Sequence, residues 1–257
     1  MVCIRVEDGL KEALIHDGAS LVGFADVTAV DPEKRRGYPR AVSLAIALDP
    51  LVVTGILSGP HVDYCHEYDN VNKKLDALGY NAEKWLKDRG FDAYAVTRAR
   101  APYSKESCVT DLPHKTAAHL AGLGWIGKNA LLVTQEFGCA QRLTTVLTDA
   151  PLQTQTAPTD SLCGACRNCR NACPGGAIRG ELWREGKTRD EMVDFTACQK
   201  TLDERGSDLS VRSATCGMCI AVCPFTKRYT TKFSAWLSNA AHRSPDEKLL
   251  RTPPRRG

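Results

Sequence analysis

Eight cysteines between positions 163 and 223 are the residues of this chain with the clearest chemistry. They form two blocks. The first has the spacing Cys-x2-Cys-x2-Cys-x3-Cys-Pro and begins at Cys163; the second has the spacing Cys-x2-Cys-x3-Cys-Pro, begins at Cys216 and is preceded by the separate Cys198. Three thiolates on one tight loop can hold one side of a [4Fe–4S] cluster, while the fourth, about a turn later on a short helix, points to a neighbouring cluster. The spacing therefore predicts two [4Fe–4S] clusters that draw on both blocks.

Applied to each block, this rule assigns four thiolates to each cluster. We expect the first cluster to be held by Cys163, Cys166, Cys169 and Cys223. We expect the second to be held by Cys173, Cys198, Cys216 and Cys219, with an insertion separating Cys198 from its block. Zinc is the weaker alternative, because it prefers two Cys-x2-Cys pairs in separate knuckles. Disulfides would require an oxidising compartment, which nothing in the sequence indicates.

The composition is that of an ordinary globular protein. The chain has 257 residues, 43% hydrophobic and 25% charged, with a net charge of +4 that is too small to indicate a nucleic-acid partner. No apolar run reaches membrane-spanning length, and the N-terminus lacks the pattern of a signal peptide, so we expect a cytoplasmic protein without membrane contact. The other four cysteines are interpreted as buried small hydrophobic residues: Cys3, Cys65, Cys108 and Cys139.

Hydrophobic periodicity predicts alternating helices and strands in the first 150 residues. The predicted helices cover 7–17, 62–89, with a break near Gly79, and 114–123; the predicted strands cover 20–25, 41–48, 91–97, 130–133 and 143–147. The glycines of Gly122-x-Gly124-x-x-Gly127 follow a predicted helix and precede a strand, the reverse of a dinucleotide-binding context. These patterns predict an α+β fold, with helices over a mostly antiparallel sheet.

A wider set of motifs resembles a known family. The run Gly122-Leu-Gly-Trp-Ile-Gly-Lys-Asn129, the apolar residues after it and the first cysteine block together resemble the epoxyqueuosine reductases and, more distantly, the reductive dehalogenases. The resemblance covers roughly residues 20 to 225. It implies a nitroreductase-like cobalamin-binding domain over 1–155, a ferredoxin-like domain with two clusters over 156–230 and a basic C-terminal tail over 231–257.

The resemblance also implies a mechanism, in which electrons pass from an external low-potential donor through two clusters to cobalamin. A small molecule or a modified nucleoside is then reduced, and the protein places and tunes the cofactor. The candidate cofactor-binding residues are Gly124, Trp125, Gly127, Lys128 and Leu131. Alternatively, the glycines form an ordinary helix end and turn, with no cofactor bound.

Two polar residues ahead of the glycine-rich run are candidate proton donors. The resemblance implies a catalytic acid in this stretch, and Asp111 is the first choice, with His114 the second. Asp111 would equally serve as the cap of a helix that begins near His114. Tyr103 with Lys105 is a weaker substitute for the proton donors of the dehalogenases. Three isolated histidines, His61, His66 and His119, are expected to be hydrogen-bonded residues and not metal ligands.

Other functions stay open at this point. The family's C-terminal helical-repeat region is expected to have no counterpart here, since about 30 residues follow the last cysteine, and on this expectation a tRNA substrate is doubtful. One alternative is an electron-transfer protein that serves a corrinoid protein or another partner. A second is a reductase that binds flavin. A nucleic-acid-binding protein is the least favoured, because the basic residues at 34–36 and 255–256 are more simply solvated charge.

Overall fold

The computed structural model describes residues 5–59, 61–100, 112–209 and 215–241, and the chain divides into two compact units. The first unit comprises Met1–Ile46, Asn70–Trp125 and Arg142–Thr159. The second comprises Ala47–Asp69, Ile126–Gln141 and Asp160–Gly257. The predicted boundary after residue 155 lies close to the division at Thr159. However, two earlier segments join the cysteine-containing unit, which local sequence patterns did not predict.

The helices and strands follow the sequence pattern closely in the first half of the chain. The α-helices are α1 Val6–His16, α2 Pro50–Gly55, α3 Val62–Lys87, α4 His114–Leu120, α5 Asn168–Asn171, α6 Phe195–Leu209, α7 Met218–Ala221 and α8 Pro224–Ala241, with a 3-10 helix at Ile56–Ser58. The strands are β1 Leu21–Asp26, β2 Arg40–Ala47, β3 Ala93–Val96, β4 Trp125–Ile126, β5 Leu132–Val133 and β6 Gln141–Thr148. The described residues include no helix with both the length and the apolar character needed to cross a membrane.

A four-stranded sheet with the order β1-β2-β6-β3 forms the centre of the first unit. Strand β1 pairs antiparallel with β2, and β3 pairs antiparallel with β6. Seven of the eight residues of β2 are buried, which explains why its sequence is a continuous run of small apolar residues. A mixed fold of helices and antiparallel strands is thus confirmed.

Small residues let helix α4 lie close to strand β1. Ala25, Ala117 and Ala121 belong to one buried cluster with Val96 and Leu147. A β-carbon at Gly23 would lie only 2.8 Å from Leu123 Cδ2 and 3.0 Å from Ala121 Cβ. Because real β-carbons do not approach so closely, the glycine in β1 sets the distance at which the end of α4 packs.

Helix α3 is continuous, so the break predicted near Gly79 is wrong. A β-carbon at Gly79 would be in ordinary contact, at 3.6 Å, with the side chains of Ala95 and Thr97. The glycine therefore lies on the face that the helix turns to β3. Main-chain hydrogen bonding in a long helix tolerates one such residue at a cost of roughly 1 kcal/mol.

In the second unit, α2 packs against α8, and α7 packs against the 3-10 helix. Gly217, just before α7, has φ 67°, and a β-carbon there would lie 2.6 Å from Tyr64 Cε1. The Tyr229 hydroxyl donates to the carbonyl of Leu48 at 2.9 Å. These contacts fix the second cysteine block within the unit.

The insertion between the cysteine blocks has a small core of its own. Ile178 and Val193 form an antiparallel bridge, and the amide of Asp194 donates to the carbonyl of Ala177 at 2.8 Å. Met192 is fully buried in this core. The bridge brings Val193 back beside Ile178. As a result, Cys198 near the beginning of α6 packs against the same core as Cys173.

Helix α8 extends into the basic C-terminal tail expected from residue 231. The helix runs to Ala241. Phe233 on this helix is 1% exposed, so hydrophobic burial keeps the helix folded beyond the last cysteine. Residues 242–257 lie outside the described part of the chain.

Candidate metal centre

Four cysteines of the second unit line one partly open cavity. We call Cys163, Cys166, Cys169 and Cys223 the first cysteine set; all four line this cavity, which is open to solvent on one side. Lys128, Asn129, Val133, Cys139 and Phe225 complete its walls. Cys223 comes from the second block and the other three from the first. The cavity thus brings together the four cysteines predicted for the first cluster, and their role as its ligands stays a prediction.

The surroundings of Cys223 favour the thiolate form of its side chain. Its pKa lies below the ordinary value of a thiol, chiefly because its sulfur is hydrogen-bonded to Cys139, and also because it accepts hydrogen bonds from the amides of Thr226 and Phe225. Cys223 precedes the first residue of α8, where helix amides have no partner within the helix. Thiolates are the form that binds iron, so this position favours ligation.

The neighbouring thiols raise one another's pKa when no cation is present. Burial and then the charge of Cys163 raise the pKa of Cys169 to about 11. Burial and then the charge of Cys216 raise the pKa of Cys219 still further above the usual value. Four crowded thiols of this kind become thiolates when a positive metal core offsets their repulsion.

We call Cys173, Cys198, Cys216 and Cys219 the second cysteine set. Burial, followed by the charges of Cys173 and Cys216, raises the pKa of Cys198, so these three sulfurs lie within electrostatic reach. The amide of Ala177 donates to the sulfur of Cys173 at 3.3 Å. Cys173, Cys198 and Cys219 all pack against the core of the insertion. The second set thus also combines residues of both blocks.

The cavity of the first cysteine set can accommodate a cluster. None of the ten described cysteines forms a disulfide. In the described ranges, no three His, Cys, Asp or Glu side chains come close enough to hold one metal ion. Zinc draws its sulfur ligands to about 2.3 Å from a single centre. A four-iron cluster holds its thiolates around a larger body, and a cavity walled by four separated thiols fits that shape.

The candidate cofactor residues have mainly protein neighbours. Gly124, Trp125, Gly127 and Lys128 are buried, and Leu131 is half-buried. A β-carbon at Gly127 would lie 2.7 Å from Val133 Cγ2, so packing within its own loop already requires glycine there. These residues offer little open surface to a corrin, and their cofactor roles stay a prediction.

Lys128 lies in the cavity of the first cysteine set. Its Nζ donates to the carbonyl of Cys166 at 3.1 Å, and the residue is 6% exposed. An ammonium in this position offsets part of the negative charge that four thiolates bring. The contact gives Lys128 a structural role at the cysteine loop, which its prediction as a cofactor ligand did not include.

Of the two candidate proton donors, only His114 is described. Its Nδ1 lies 2.9 Å from Thr145 Oγ1, and burial, followed by the charge of Arg142, lowers its pKa to about 4. At neutral pH the ring is therefore a neutral imidazole. Asp111, Tyr103 and Lys105 lie outside the described residues. Their roles, like that of His114, stay predictions.

Two of the three isolated histidines take part in hydrogen bonds. His119 Nδ1 lies 2.9 Å from the carbonyl of Gly124, and His61 Nε2 lies 3.2 Å from the carbonyl of Val52.

Sequence reasoning missed Cys139, which was interpreted as a buried apolar residue. It is 2% exposed, but its thiol is hydrogen-bonded to Cys223, and this bond and burial raise its own pKa. The side-chain amide of Asn129 donates to its sulfur at 3.3 Å. A single cysteine far from both blocks carries no spacing signal. Only the loop contact between residues 137–140 and the start of α8 reveals its position.

Comparison with known proteins agrees with this arrangement. Residues 162–226, which contain all eight clustered cysteines, match the model of a 4Fe-4S double cluster binding domain. The chain is 33% identical over 144 residues to the epoxyqueuosine reductase of Listeria monocytogenes, a match that covers 55% of this chain and 35% of that protein. The chain thus spans about a third of the length of this curated relative.

Solved structures show the same fold at low identity. The catabolic reductive dehalogenase NpRdhA superposes with a TM-score of 0.67 at 17% identity, over 88% of this chain and 33% of that one. An epoxyqueuosine reductase crystallised with an epoxyqueuosine-modified tRNA-Tyr stem loop superposes with a TM-score of 0.57 at 18% identity, over 86% of this chain and 65% of that one. The resemblance to both groups of reductases is confirmed.

Proposed function

We propose that this protein is an iron–sulfur oxidoreductase that takes single electrons from an external low-potential donor into two [4Fe–4S] clusters. It delivers them to a bound cobalamin for the reduction of a small molecule or a modified nucleoside. The observation that carries the proposal is the pairing of two four-cysteine sets, each built from both blocks, within the region that matches a double cluster domain. When bound, such clusters supply one-electron transfer at low potential.

In this proposal the chain's own residues hold and tune the redox centres. Cys163, Cys166, Cys169 and Cys223 hold the first cluster, and Lys128 offsets its charge from the wall of the cavity. Cys173, Cys198, Cys216 and Cys219 hold the second, beside the core of the insertion. Half-burial of all eight cysteines keeps most water from the sulfurs, and this favours electron transfer over loss of iron.

The cobalamin part of the proposal is supported by likeness to proteins named epoxyqueuosine reductase and reductive dehalogenase. Flavin is the alternative cofactor. A modified nucleoside enters as a substrate class because an epoxyqueuosine reductase has been crystallised with a modified tRNA stem loop. A tRNA-borne substrate therefore belongs in the assay, beside free nucleosides. Halogenated phenols belong there too, because a reductive dehalogenase of similar fold has been crystallised with 3-bromo-4-hydroxybenzoic acid.

The test begins with anaerobic reconstitution with iron and sulfide. The proposal predicts about eight irons and eight acid-labile sulfides per chain, with the absorption of [4Fe–4S] clusters that bleaches on reduction. A Cys163→Ala variant should keep about four irons. A Cys65→Ala variant is the matched control and should keep all of them, because Cys65 is a buried cysteine of the same unit that belongs to neither set.

The cofactor is tested next by titrating the reconstituted protein with cobalamin under anaerobic conditions. A shift in the corrin spectrum, followed by reduction of one substrate class by the loaded protein, supports the full proposal. Clusters without any corrin change refute the cobalamin part, and flavin released on denaturation would establish the alternative. Clusters that reduce an added corrinoid protein without substrate turnover would instead assign the chain to electron transfer.

A further inference from the structure

We propose that Cys139 is a positioning residue whose thiol donates a hydrogen bond to the Cys223 sulfur and thereby raises the reduction potential of the first cluster. The inference rests on the proposed function only in requiring that the first cysteine set holds a cluster. It adds a fifth thiol, outside both cysteine blocks, to the control of that cluster.

The first argument is position. Cys139 and Cys223 line the same cavity, and Cys139 is 2% exposed. Its backbone amide donates to Thr226 Oγ1 at 2.9 Å. A β-carbon on the preceding Gly138 would lie 2.2 Å from the amide nitrogen of Thr226, so only glycine lets the two segments approach. The loop that carries Cys139 is therefore fixed against Thr226 in the first turn of α8, three residues after Cys223.

The second argument is the direction of the thiol hydrogen. The Asn129 side-chain amide donates to the Cys139 sulfur at 3.3 Å and to the carbonyl of Cys219 at 3.3 Å. Its Oδ1 accepts from the amide of Leu131 at 3.3 Å, which fixes the side-chain orientation. A thiolate that binds iron carries no proton, so a hydrogen shared by the two sulfurs belongs to Cys139. Cys139 and Cys223 lie in the wall of the same cavity, where this hydrogen can be shared with the Cys223 sulfur.

The third argument is charge. Reduction adds one negative charge to a cluster, and part of that charge resides on the ligand sulfurs. A donor to a ligand sulfur stabilises the reduced state more than the oxidised state, which makes the potential more positive. Cys139 does not need to be a ligand itself, because the Cys-Pro spacing already supplies four thiolates and its own sulfur accepts from Asn129.

The experiment compares three variants of the reconstituted full chain. Cys139→Val fills the space without a donor, Cys139→Ser keeps a donor, and Cys65→Ala is a buried cysteine control outside the cavity. Each midpoint potential is measured by redox titration followed by electron paramagnetic resonance, after iron analysis. Proton electron–nuclear double resonance spectra of the reduced cluster are recorded in H2O and in D2O. The difference between them detects an exchangeable proton close to the sulfur ligands.

We expect a more negative midpoint potential for the first cluster in Cys139→Val, with loss of the exchangeable proton signal. Cys139→Ser should retain the signal and a potential at or above that of the wild type, and Cys65→Ala should leave both unchanged. If valine disturbs assembly, Cys139→Ala provides the same comparison with serine. Equal potentials in the valine, serine and wild-type proteins overturn the inference while leaving the proposed function intact.

Loss of about four irons in both the valine and alanine variants, with retention in serine, would make position 139 a ligand, which also overturns the tuning role. A wild-type chain that takes up no cluster refutes the proposed function and this inference together.

Discussion

The first and second cysteine sets each contain four thiols from two sequence blocks, but their surroundings differ. Polar groups adjoin the first set: the Lys128 ammonium, the Asn129 amide, the Thr226 hydroxyl and the Cys139 thiol. Three cysteines of the second set (Cys173, Cys198 and Cys219) but only Cys169 of the first pack against the core of the insertion, and Cys173 also accepts from one amide. The same type of ligand, a cysteine thiol, thus lies in two different environments within the second unit.

The difference in surroundings indicates a difference in potential. Cations and hydrogen-bond donors favour the more negative, reduced form of a cluster, whereas apolar burial disfavours added negative charge. We therefore expect a cluster in the first set to have the more positive potential, so that electrons entering the second cluster move to the first. The predictions below alter one environment at a time.

The largest expected effect comes from breaking the core of the insertion. Ile178 is 5% exposed and bridges to Val193, so Ile178→Asp places an unpaired charge in an apolar core. Cys198 then loses its position, and iron should fall from about eight to about four per chain, with the second cluster lost. Leu182→Asp is the control, because Leu182 lies in the same insertion and is 45% exposed. Loss of both clusters, or of neither, would contradict the assignment of this core to the second set.

A smaller change in the same core tests its contribution to stability. Met192 is 0% exposed, and Met192→Ala should lower the free energy of unfolding by about 2 to 4 kcal/mol, through lost burial and a residual cavity. Urea unfolding of the anaerobic, reconstituted protein measures the change. Leu182→Ala should change it by less than about 0.5 kcal/mol, as for most exposed positions. A Met192 effect no larger than that of Leu182 would show that the core does not support the unit.

The smallest expected effect concerns the first set. Lys128→Met removes a cation worth about 1 kcal/mol at short range in water, or roughly 40 mV for one electron, and the first cluster should become harder to reduce. Lys128→Arg should retain most of the wild-type potential. The second cluster should not shift in either variant. Equal shifts of both clusters would mean that Lys128 acts through the whole unit and not through its contact with Cys166.

Local spacing predicted which four cysteines lie around the cavity of the first set, because each block carries its own turn and short helix, whereas their role as ligands stays a prediction. It also predicted most helices and strands of the first unit, where apolar periodicity is strong. The roles of Cys139 and Asn129 could not be predicted, since they arise from contacts with residues about 90 positions away in the chain. For the same reason, the sequence did not predict that residues 47–69 and 126–141 belong to the second unit. Packing between distant segments leaves no local pattern.

The most direct test of the account is the iron content of two double variants after anaerobic reconstitution. Cys163 and Cys223 belong to one set, whereas Cys163 and Cys173 belong to different sets although they share a sequence block. The account predicts that Cys163→Ala with Cys223→Ala keeps about four irons, and that Cys163→Ala with Cys173→Ala keeps almost none. The opposite result, with iron retained only in the second pair, would mean that each block holds its own cluster and would contradict the crossed arrangement.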